Sequence, residues 1–371
     1  MLPLFQLPRS LPHPSAPQLS PLPTPPPSFP RHPAAPSFVG RKVEEHRGAL
    51  LLSRPLSHGR ITDWRDCETL WRSLFEDGGA LSSTAAEDRA LLLTQPPQAS
   101  RQEREEAAAV LFESLRVPAL HLAPTSTLAL YATGRTTGLV LECGEGVTAA
   151  TPVYEGYALP HAVVRSDLGG SEVTDTLSSL LRRSGAALRS STAERETVRC
   201  IKEAACYVAA SSSEAAAGGG GGGSSSSPAA PATEYRLPDG SRLSLSSELC
   251  RAPEVLFQPS ILGLEQPGVA DAVCASMART DLELRRAQLG SIVLAGGCTA
   301  LKGFPARLLA EVRRGSPPDA KVRVWAPSDR MLLSWLGGSI LASLSTFKSM
   351  WVTREAWEEE GPEALHRGAV L

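Results

Sequence analysis

The stretch that decides the fold is LVLECGEGVTAATPVYEGYALPHAV, residues 139–163. It opens with an apolar run, turns through the acidic and glycine-rich residues 142–146, and leaves as Val147-Thr148. A strand, a glycine turn and a second strand can bring backbone N–H groups up to a phosphate. Carboxylates beside such a turn commonly hold a metal ion and its waters. The stretch therefore predicts a strand pair whose turn has the features of a phosphate-binding site.

The composition limits the class of protein. The chain has 371 residues, of which 42% are apolar, so it is long enough for two domains or one large two-lobed domain. The net charge of −2 provides no basic field, and nucleic acid is not predicted as a partner. The seven cysteines form no C-x-x-C pair, which indicates free thiols in a reducing compartment. No apolar run reaches the ~18 residues of a membrane span, and early prolines argue against a signal peptide, so we expect a cytoplasmic protein.

Two segments differ in composition from the rest of the chain. Residues 1–36 are rich in proline, which favours a disordered, extended and solvated segment. Residues 211–233 are rich in glycine and serine and are predicted to be a flexible linker. The linker interrupts ordered sequence and does not separate two unrelated domains.

Helical and strand patterns alternate through the remaining sequence, which predicts an α/β fold. Three helices are predicted over residues 63–75, 101–115 and 192–210, with Asp63, Ser100 and Thr192 as their N-caps. A buried strand is predicted over residues 291–297, where SIVLAGG runs into a glycine pair.

Several motifs resemble the actin family. Besides YEGYALPH, they are TDWRDCETLW, LYATGRTTG, TAERETVRCIKE, LPDG, LFQPSILG, VLAGG and WLGGSILASLSTFKSMW. They follow the family in order and spacing from about Ser37 to the C-terminus. The resemblance implies the two-lobed α/β fold of the actin, Hsp70 and sugar-kinase ATPase superfamily. It assigns residues 37–132 and 333–371 to an outer lobe and residues 133–332 to an inner lobe.

The resemblance also implies that the fold is incomplete at its N-terminus. The family has a first glycine hairpin with an acidic residue and a lysine near its N-terminus. Here the first glycine is Gly40, the first aspartate is Asp63, and residues 1–36 contain neither an acidic residue nor a lysine. In the family this segment also supplies the first strands of the outer sheet. We therefore expect half of the phosphate clamp to be absent and the outer sheet to have an unpaired edge.

The other nucleotide contacts implied by the resemblance are retained or altered. They are Glu142, Gly144, Glu145, Gly146, Lys202, Glu203, Gly296 and Gly297. The family has aspartates at 142 and 145, and each glutamate adds one methylene to a site where magnesium demands near-ideal geometry. Two alternatives to nucleotide binding stay open. In the first, the hairpin survives only as a structural turn. In the second, Lys202 and Glu203 form a surface pair on a helix.

The residues that would orient the attacking water differ from those of the family. Thr125 stands where the family has a glutamine, and Ala149 stands where it has a histidine. Around the base, Cys298, Ala300, Leu301 and Met331 replace a threonine, a methionine, a tyrosine and a lysine. Because each lost water-orienting group typically costs about 10²–10⁴ in rate, no catalytic residue and no metal-ligand set is predicted. Binding of Mg-ATP without useful turnover remains open.

A second cleft matches the family better. In the family, an apolar groove between subdomains receives helices of many partners. Its lining here would be Tyr131, Gly134, Thr136, Gly156, Tyr157, Leu336, Ile340, Leu341, Leu344 and Thr346. Cytoskeletal or actin-binding proteins are the expected partners. The alternative, strongest for Ile340 and Leu341, is that these residues are retained for core packing.

Three lesser signals have ordinary explanations. Residues 23–30 (PTPPPSFP) could bind profilin, SH3 or WW domains, or simply be disordered. His58 stands where the family carries a modified histidine, and a plain surface histidine is the simpler interpretation. Ile261, Leu262 and Leu264 match an apolar plug that helps to join filament strands, and core packing would explain them equally well.

Three functions follow from these observations. The favoured one is a non-catalytic structural or adaptor protein of a cytoskeletal assembly in the cytoplasm, of a kind that is often testis-enriched among divergent family members. The second is a slow, ATP-binding and polymerising ATPase or nucleotide switch, whose discriminator is Mg-ATP binding. The third is a non-functional paralogue that folds poorly, whose discriminator is a cooperative melt.

Overall fold

The computed structural model describes residues 39–40, 43, 52–76, 79, 81–185, 191–217, 233–237 and 240–367. The proline-rich segment 1–36 lies outside the described residues. Its predicted disorder and its predicted binding of profilin, SH3 or WW domains therefore stay predictions.

The β-strands of the described residues are numbered in chain order. They are β1 (Leu56–Ser57), β2 (Arg60–Ile61), β3 (Leu91–Gln95), β4 (Ala119–Pro124), β5 (Gly138–Cys143), β6 (Thr148–Tyr154), β7 (Tyr157–Ala158), β8 (Val164–Ser166), β9 (Thr233–Arg236), β10 (Arg242–Leu245), β11 (Ile292–Ala295), β12 (Val324–Trp325) and β13 (Val352–Thr353).

The α-helices are numbered in the same way. They are α1 (Trp64–Ser73), α2 (Arg101–Ala109), α3 (Thr125–Ala132), α4 (Gly170–Arg183), α5 (Thr192–Ala205), α6 (Ser212–Ala217), α7 (Glu248–Arg251), α8 (Val269–Arg279), α9 (Leu282–Leu289), α10 (Phe304–Gly315), α11 (Leu333–Ser343), α12 (Arg354–Glu360) and α13 (Ala364–Arg367). Helix α2 continues as a π-helical turn over Val110–Ser114. Among the described helices, none is long and apolar enough to span a bilayer.

Two sheets organise the chain. The larger has six strands in the order β12-β11-β5-β6-β7, with β8 also paired to β6. Strands β12, β11 and β5 are parallel, whereas β6 is antiparallel to β5, as the opening stretch predicted. The smaller sheet has the order β13-β4-β3. The α/β prediction is confirmed, and the predicted lobe boundaries stay a prediction.

The apolar pattern of the larger sheet explains its central place in the core. Leu139, Val140 and Leu141 of β5 are fully buried, as are Ile292 and Val293 of β11. A strand that is apolar on both faces must be covered on both faces. Helices α4, α5 and α8 supply one cover through the largest apolar cluster of the protein, and α3 contributes to the other.

Two of the predicted helices begin where their caps predicted. Asp63 accepts hydrogen bonds from the backbone N–H groups of Arg65 and Asp66, and α1 follows it. Ser100 and Glu103 form a reciprocal capping box at the start of α2. Because these caps satisfy N–H groups that have no partner within the helix, the local sequence determines both starting points.

Two predicted boundaries were wrong. The cap of α5 is Ser191, whose hydroxyl accepts from Glu194 N, and the helix ends at Ala205 rather than at residue 210. The predicted linker 211–233 is also too long, because α6 occupies Ser212–Ala217 and β9 begins at Thr233. Ala215 of α6 is buried against Cys250, which gives this short helix a tertiary contact. The rest of the linker, residues 218–232, lies outside the described residues.

Helix α3 connects the two sheets, and α11 packs closely on it. The backbone of Gly337 lies so near α3 that a Cβ atom there would be 1.8 Å from the Leu128 carbonyl oxygen. One residue further, a Cβ at Gly338 would be 3.4 Å from Leu92 Cδ2 of β3. Helix α11 thus contacts both the connecting helix and the smaller sheet.

This packing generates a prediction from two adjacent positions. Gly337→Ala places a methyl group against backbone, so we expect it to lower the free energy of unfolding by about 1–3 kcal/mol. Gly338→Ala meets only ordinary contact and gains up to ~1 kcal/mol of helix propensity, so it should be neutral or stabilising. Denaturant unfolding of both variants checks this, and equal effects would contradict the close approach of α11 to α3.

Candidate nucleotide cleft and docking groove

Two predicted glycine segments meet at one edge of the larger sheet. Strands β5 and β11 are parallel and in register, with Ala295 beside Glu142 at their carboxyl ends. The turn after β5 and the pair Gly296-Gly297 after β11 therefore lie next to each other. The approach is close, since a Cβ at Gly296 would lie 2.4 Å from the Cys143 carbonyl oxygen.

Hydrogen bonds within the turn after β5, and from the start of α4, fix its conformation. Gly144 N donates to the Val147 carbonyl over 2.9 Å, which closes the turn. At the start of α4, Gly170 N donates to the Gly144 carbonyl over 2.9 Å, and Ser171 N donates to the Glu145 carbonyl over 2.7 Å. Within the described part of the chain, the N–H groups of Glu145 and Gly146 have no such partner. They are available to an anion, as expected of a phosphate-binding turn.

Lys202 is positioned against this turn. Its side chain is buried, and Nζ donates to the Gly170 carbonyl over 2.9 Å and lies 3.3 Å from Glu145 Oε2. A Cβ at Gly170 would approach both Lys202 Nζ and Glu145 Oε2 within 3 Å, so a larger residue there would displace the ends of these two side chains. The alternative of a surface lysine is therefore wrong for Lys202.

Glu203 has a different role. Its carboxylate is half-exposed and accepts from Arg199 Nη1 over 2.6 Å, one helical turn earlier on α5. Arg199 also pairs with Glu196, and the two carboxylates raise the pKa of its guanidinium. Glu203 therefore belongs to a surface ion network along α5, and it pairs with Arg199 rather than with Lys202.

These groups line a cavity of about 680 Å³, within the usual range for small-molecule sites. Its lining comes from the β5 turn, from α5, from the segment after β11 and from three residues outside them, Arg54, Cys206 and Met331. Of the predicted nucleotide contacts, the cavity brings together Gly144, Glu145, Lys202, Glu203 and Gly297. Cys298, Ala300 and Leu301, the replaced base-pocket residues, line it as well.

Glu142 lies below the turn, and its carboxylate is bound internally. Thr125 Oγ1, at the first residue of α3, donates to Glu142 Oε2 over 2.8 Å. Burial raises the pKa of Glu142 to about 7, although the nearby hydroxyls of Thr125 and Ser334 act in the opposite direction. Thr125, which stands in place of the family's glutamine, thus binds Glu142, which stands in place of the family's aspartate.

The two carboxylates provide a test of whether a magnesium ion fits. Magnesium requires ionised or carbonyl oxygens in near-octahedral geometry. Glu142 accepts from Thr125 and holds its proton up to near-neutral pH. Glu145 is engaged by the buried ammonium of Lys202. These contacts do not fit a magnesium site, whereas the N–H groups of Glu145 and Gly146 are available to an anion.

His58 contacts the same turn from the opposite side. Its Nδ1 lies 2.9 Å from the Gly146 carbonyl oxygen, at hydrogen-bond distance. The β1–β2 hairpin that carries His58 is also held by Arg165, which donates to the His58 carbonyl. His58 is exposed, as the interpretation of a plain surface histidine predicts, and its ring also links the hairpin to the turn.

Sequence reasoning missed Ser334 and the contact that Cys298 makes with the turn. Ser334 donates to the Thr125 carbonyl over 3.2 Å and so ties α11 to the start of α3. Cys298, predicted as a residue of the base pocket, donates through Sγ to the Gly144 carbonyl over 3.1 Å. This bond supports the turn, and the neighbouring Cys143 thiol raises the pKa of Cys298. No local motif marks either contact, because the partners are far away in the sequence.

The predicted docking groove is built around the end of α3. The Tyr131 hydroxyl packs on Gly156, where a Cβ would lie 2.3 Å from it. Gly156 N donates to the Thr136 carbonyl over 2.8 Å. These contacts join the β6–β7 turn, which also carries Tyr157, to the segment after α3. Helix α11 packs on the same α3, so the predicted lining residues come from neighbouring elements.

Exposure separates the lining residues from core residues. Tyr157, Ile340 and Leu344 are apolar or aromatic side chains that remain 47%, 47% and 49% exposed. The core-packing alternative is therefore wrong for Ile340, whereas Leu341 and Leu336 are partly buried. Gly134, Thr136 and Thr346 are exposed.

The three residues of the predicted apolar plug also differ in how far they are exposed. Ile261 and Leu262 are 54% and 41% exposed, which contradicts core packing for these two. Leu264 is partly buried and packs against the main apolar cluster, as core packing predicts.

Two sheets flanked by helices, with a glycine turn and a cavity at one edge of the larger sheet, define an α/β protein. The family model described as Actin matches residues 28–369. An "Actin-like protein" of Neurospora crassa is 44% identical over 330 residues, covering 89% of this chain and 85% of that protein. The chain belongs to the actin family. This membership supports an actin-related, cytoskeletal-type role.

The position of Glu142 generates a pH prediction. Because its pKa is raised on folding, the folded protein holds this proton more tightly than the unfolded chain does. The free energy of unfolding should therefore fall as the pH rises from about 5 to about 7 and then level off. Glu142→Gln cannot ionise, so it should exceed the wild type above pH 7 by about 1–3 kcal/mol.

Denaturant unfolding of both proteins at several pH values measures this effect. The difference between the two curves cancels the contributions of other titrating groups. Parallel curves would show that the Glu142 carboxyl is not desolvated in the folded state.

Proposed function

We propose that this chain is a non-catalytic member of the actin family, a structural or adaptor subunit of a cytoskeletal assembly that binds helical partners through its apolar groove. One observation carries the non-catalytic part. The carboxylate at the base of the cleft, Glu142, accepts a hydrogen bond from Thr125 Oγ1 at 2.8 Å. It is bound by the protein where an ATPase would need it free for the waters of a metal ion.

The surroundings of Glu142 support the same conclusion. Ala149 is its register partner on β6, and a methyl group can neither position nor deprotonate a water molecule. Glu145, the second turn carboxylate, is paired with Lys202. Phosphoryl transfer depends on positioned water and neutralised phosphate charge, and these positions offer little for either.

The groove supports the binding part of the proposal. Tyr157, Ile340 and Leu344 keep about half of their surface exposed, a state that costs free energy unless a partner covers them. The groove stands on the packed pair α3 and α11, so its shape is set before a partner arrives. A rigid apolar groove is the usual receptor for an amphipathic helix.

The second candidate is a slow, polymerising ATPase or nucleotide switch. Two observations favour it over other rivals: the N–H groups of Glu145 and Gly146 are available to an anion, and Lys202 lies behind them. Nucleotide binding separates the two candidates. Polymerisation does not, because a non-catalytic subunit can also enter a filament.

The first test is thermal melting with and without about 5 mM Mg-ATP, with actin measured alongside as the positive control. A ligand at about 100 times its Kd stabilises the native state by about 2.7 kcal/mol, which moves the Tm by a few degrees. We expect a cooperative melt with no shift and no phosphate release. A shift of that size would favour the nucleotide switch, and the absence of a cooperative melt would favour a poorly folding paralogue.

The second test concerns the groove. The probe is a fluorescein-labelled amphipathic helix with apolar residues at i, i+4 and i+7, titrated with the full chain. Ile340→Asp places a charge in the groove, so we expect it to weaken binding by about tenfold or more. Ser339→Asp adds the same charge at the adjacent exposed position and should leave the affinity unchanged. Equal affinities of Ile340→Asp and the wild type would remove the groove from the proposal.

A further inference from the structure

Two cysteines meet where the larger sheet opens into the cleft. Cys143 is the last residue of β5, and Cys298 lies in the short helical turn that follows β11. The two strands are parallel and in register up to Glu142 and Ala295, so their chains leave the sheet side by side. At the next position, a Cβ on Gly296 would lie 2.4 Å from the Cys143 carbonyl oxygen. The segment that carries Cys298 therefore begins in direct contact with Cys143.

The side chain of Cys298 folds back over the turn after β5. Its Sγ donates to the Gly144 carbonyl over 3.1 Å, at the residue next to Cys143. Cys143 Sγ lies 3.1 Å from the hydroxyl oxygen of Thr148, its register partner on β6. The neighbouring Cys298 thiol lowers the pKa of Cys143, and Cys143 raises the pKa of Cys298. The two thiols are thus close neighbours, and Cys143 is the first of them to lose its proton.

Positive groups lie beside Cys298. A Cβ at Gly170 would be 2.9 Å from Lys202 Nζ and 3.1 Å from Cys298 Sγ, so the buried ammonium and the thiol approach the same point. Gly170 is the first residue of α4, and the N-terminus of a helix carries a partial positive charge. Glu145 lies 3.3 Å from the ammonium and offsets part of its charge. A cation and a helix N-terminus both stabilise a thiolate, which is the reactive form of cysteine.

Access to the cleft distinguishes the two thiols. Cys298 lines the cavity of about 680 Å³, whereas Cys143 is fully buried and does not line it. A small oxidant that enters the cavity therefore meets Cys298 first. Cys206 lines the same cavity, but burial raises the pKa of its thiol to about 12, so it forms almost no thiolate at neutral pH.

We propose that Cys143 and Cys298 are an oxidation site, at which a peroxide that enters the cleft converts the two thiols into a reversible disulfide. First, the Cys298 thiolate attacks the O–O bond of hydrogen peroxide, which gives a sulfenic acid and releases one water. The Cys143 thiolate then attacks the sulfenic sulfur, so that the S–S bond forms, the S–O bond breaks and a second water leaves. The two thiols lose two protons and two electrons, and these reduce the peroxide to two waters. A dithiol reverses the reaction by thiol–disulfide exchange.

The disulfide changes how the turn after β5 is held. In the reduced protein, the Gly144 carbonyl accepts from Cys298 Sγ and from Gly170 N. Oxidation removes the thiol proton, so the turn loses one hydrogen bond and gains a covalent link to the segment after β11. The link closes the long loop between residues 143 and 298, and such cross-links constrain the unfolded chain strongly. The inference holds whether or not the cleft binds a nucleotide, because both thiols belong to the chain itself.

The first test maps the cross-link. The reduced full chain is treated with a small excess of hydrogen peroxide, the remaining thiols are blocked with N-ethylmaleimide, and the protein is digested with trypsin without reductant. We expect peptide 136–165 joined to peptide 287–302, lighter by two hydrogen atoms than their sum and separated by dithiothreitol. Cys298→Ser should abolish the joined peptide. Cys274→Ser, the matched control on α8, should retain it.

A second readout is thermal melting of the oxidised and the reduced protein. We expect oxidation to raise the Tm by about 5 °C or more, and dithiothreitol to reverse the rise. Neither Cys143→Ser nor Cys298→Ser should show the rise. Serine keeps a hydroxyl that can donate to the Gly144 carbonyl, so the cooperative melt of each reduced variant verifies that it is folded.

Four results would overturn the proposal. A sulfenic or sulfinic acid on Cys298 without a joined peptide would show that Cys143 does not reach it. A cross-link from Cys298 to Cys206 would assign the reaction to a different pair. Oxidation of the exposed Cys200 alone would show that the cavity excludes the oxidant. A joined peptide without a rise in Tm would show that the bond strains the fold or forms only in unfolded chains.

Discussion

The fold depends on the contact between Gly337 of α11 and the Leu128 carbonyl of α3. Helix α3 follows directly from β4 of the smaller sheet and leads into β5 of the larger one, so it is the covalent link between them. Only a glycine in α11 allows the helix to lie this close. From that position α11 reaches Leu92 of β3 on one side and the start of α3, through Ser334, on the other. The relation of the two sheets is thereby fixed by backbone packing.

The same pair of helices also determines the surroundings of Glu142 in the cleft. Thr125 begins α3, so its hydroxyl is carried to Glu142 by the helix that joins the sheets. Ser334 holds Thr125 in turn from α11. A carboxylate enclosed by two packed helices loses hydration, and its ionisation becomes unfavourable. The surroundings of Glu142 and the placement of the exposed residues Ile340 and Leu344 thus have one structural origin, which is the packing of α11 on α3.

The sequence predicted those features that local patterns encode. The alternation of helices and strands, the caps Asp63 and Ser100, and the strand pair around the 142–146 turn all rest on short-range chemistry, and the structure confirms them. Family motifs predicted the nucleotide contacts, five of which line one cavity, and their role stays a prediction. The patterns failed where tertiary contact decides the outcome. Helix α6 forms within a predicted linker because Ala215 packs on Cys250.

The partners of single side chains were the least predictable part. Lys202 and Glu203 are adjacent in the sequence, but one is buried against Gly170 and the other pairs with Arg199 at the surface. His58 contacts Gly146, which is 88 residues further along the chain. Helical periodicity indicates which face a residue occupies and cannot reveal what another segment brings to that face.

The pairing of β13 with β4 has a consequence for how the chain is made. Val352 pairs with Leu120, so the smaller sheet joins an early part of the sequence to one close to its end. The larger sheet is complete once Trp325 has been synthesised. During translation, the larger sheet can therefore assemble while β3 and β4 still lack both β13 and the cover of α11. Such distant contacts close slowly because of the entropy of the intervening loop. While the smaller sheet is incomplete, its unpaired strands are exposed. This is therefore the stage at which a nascent chain most needs chaperones to prevent aggregation.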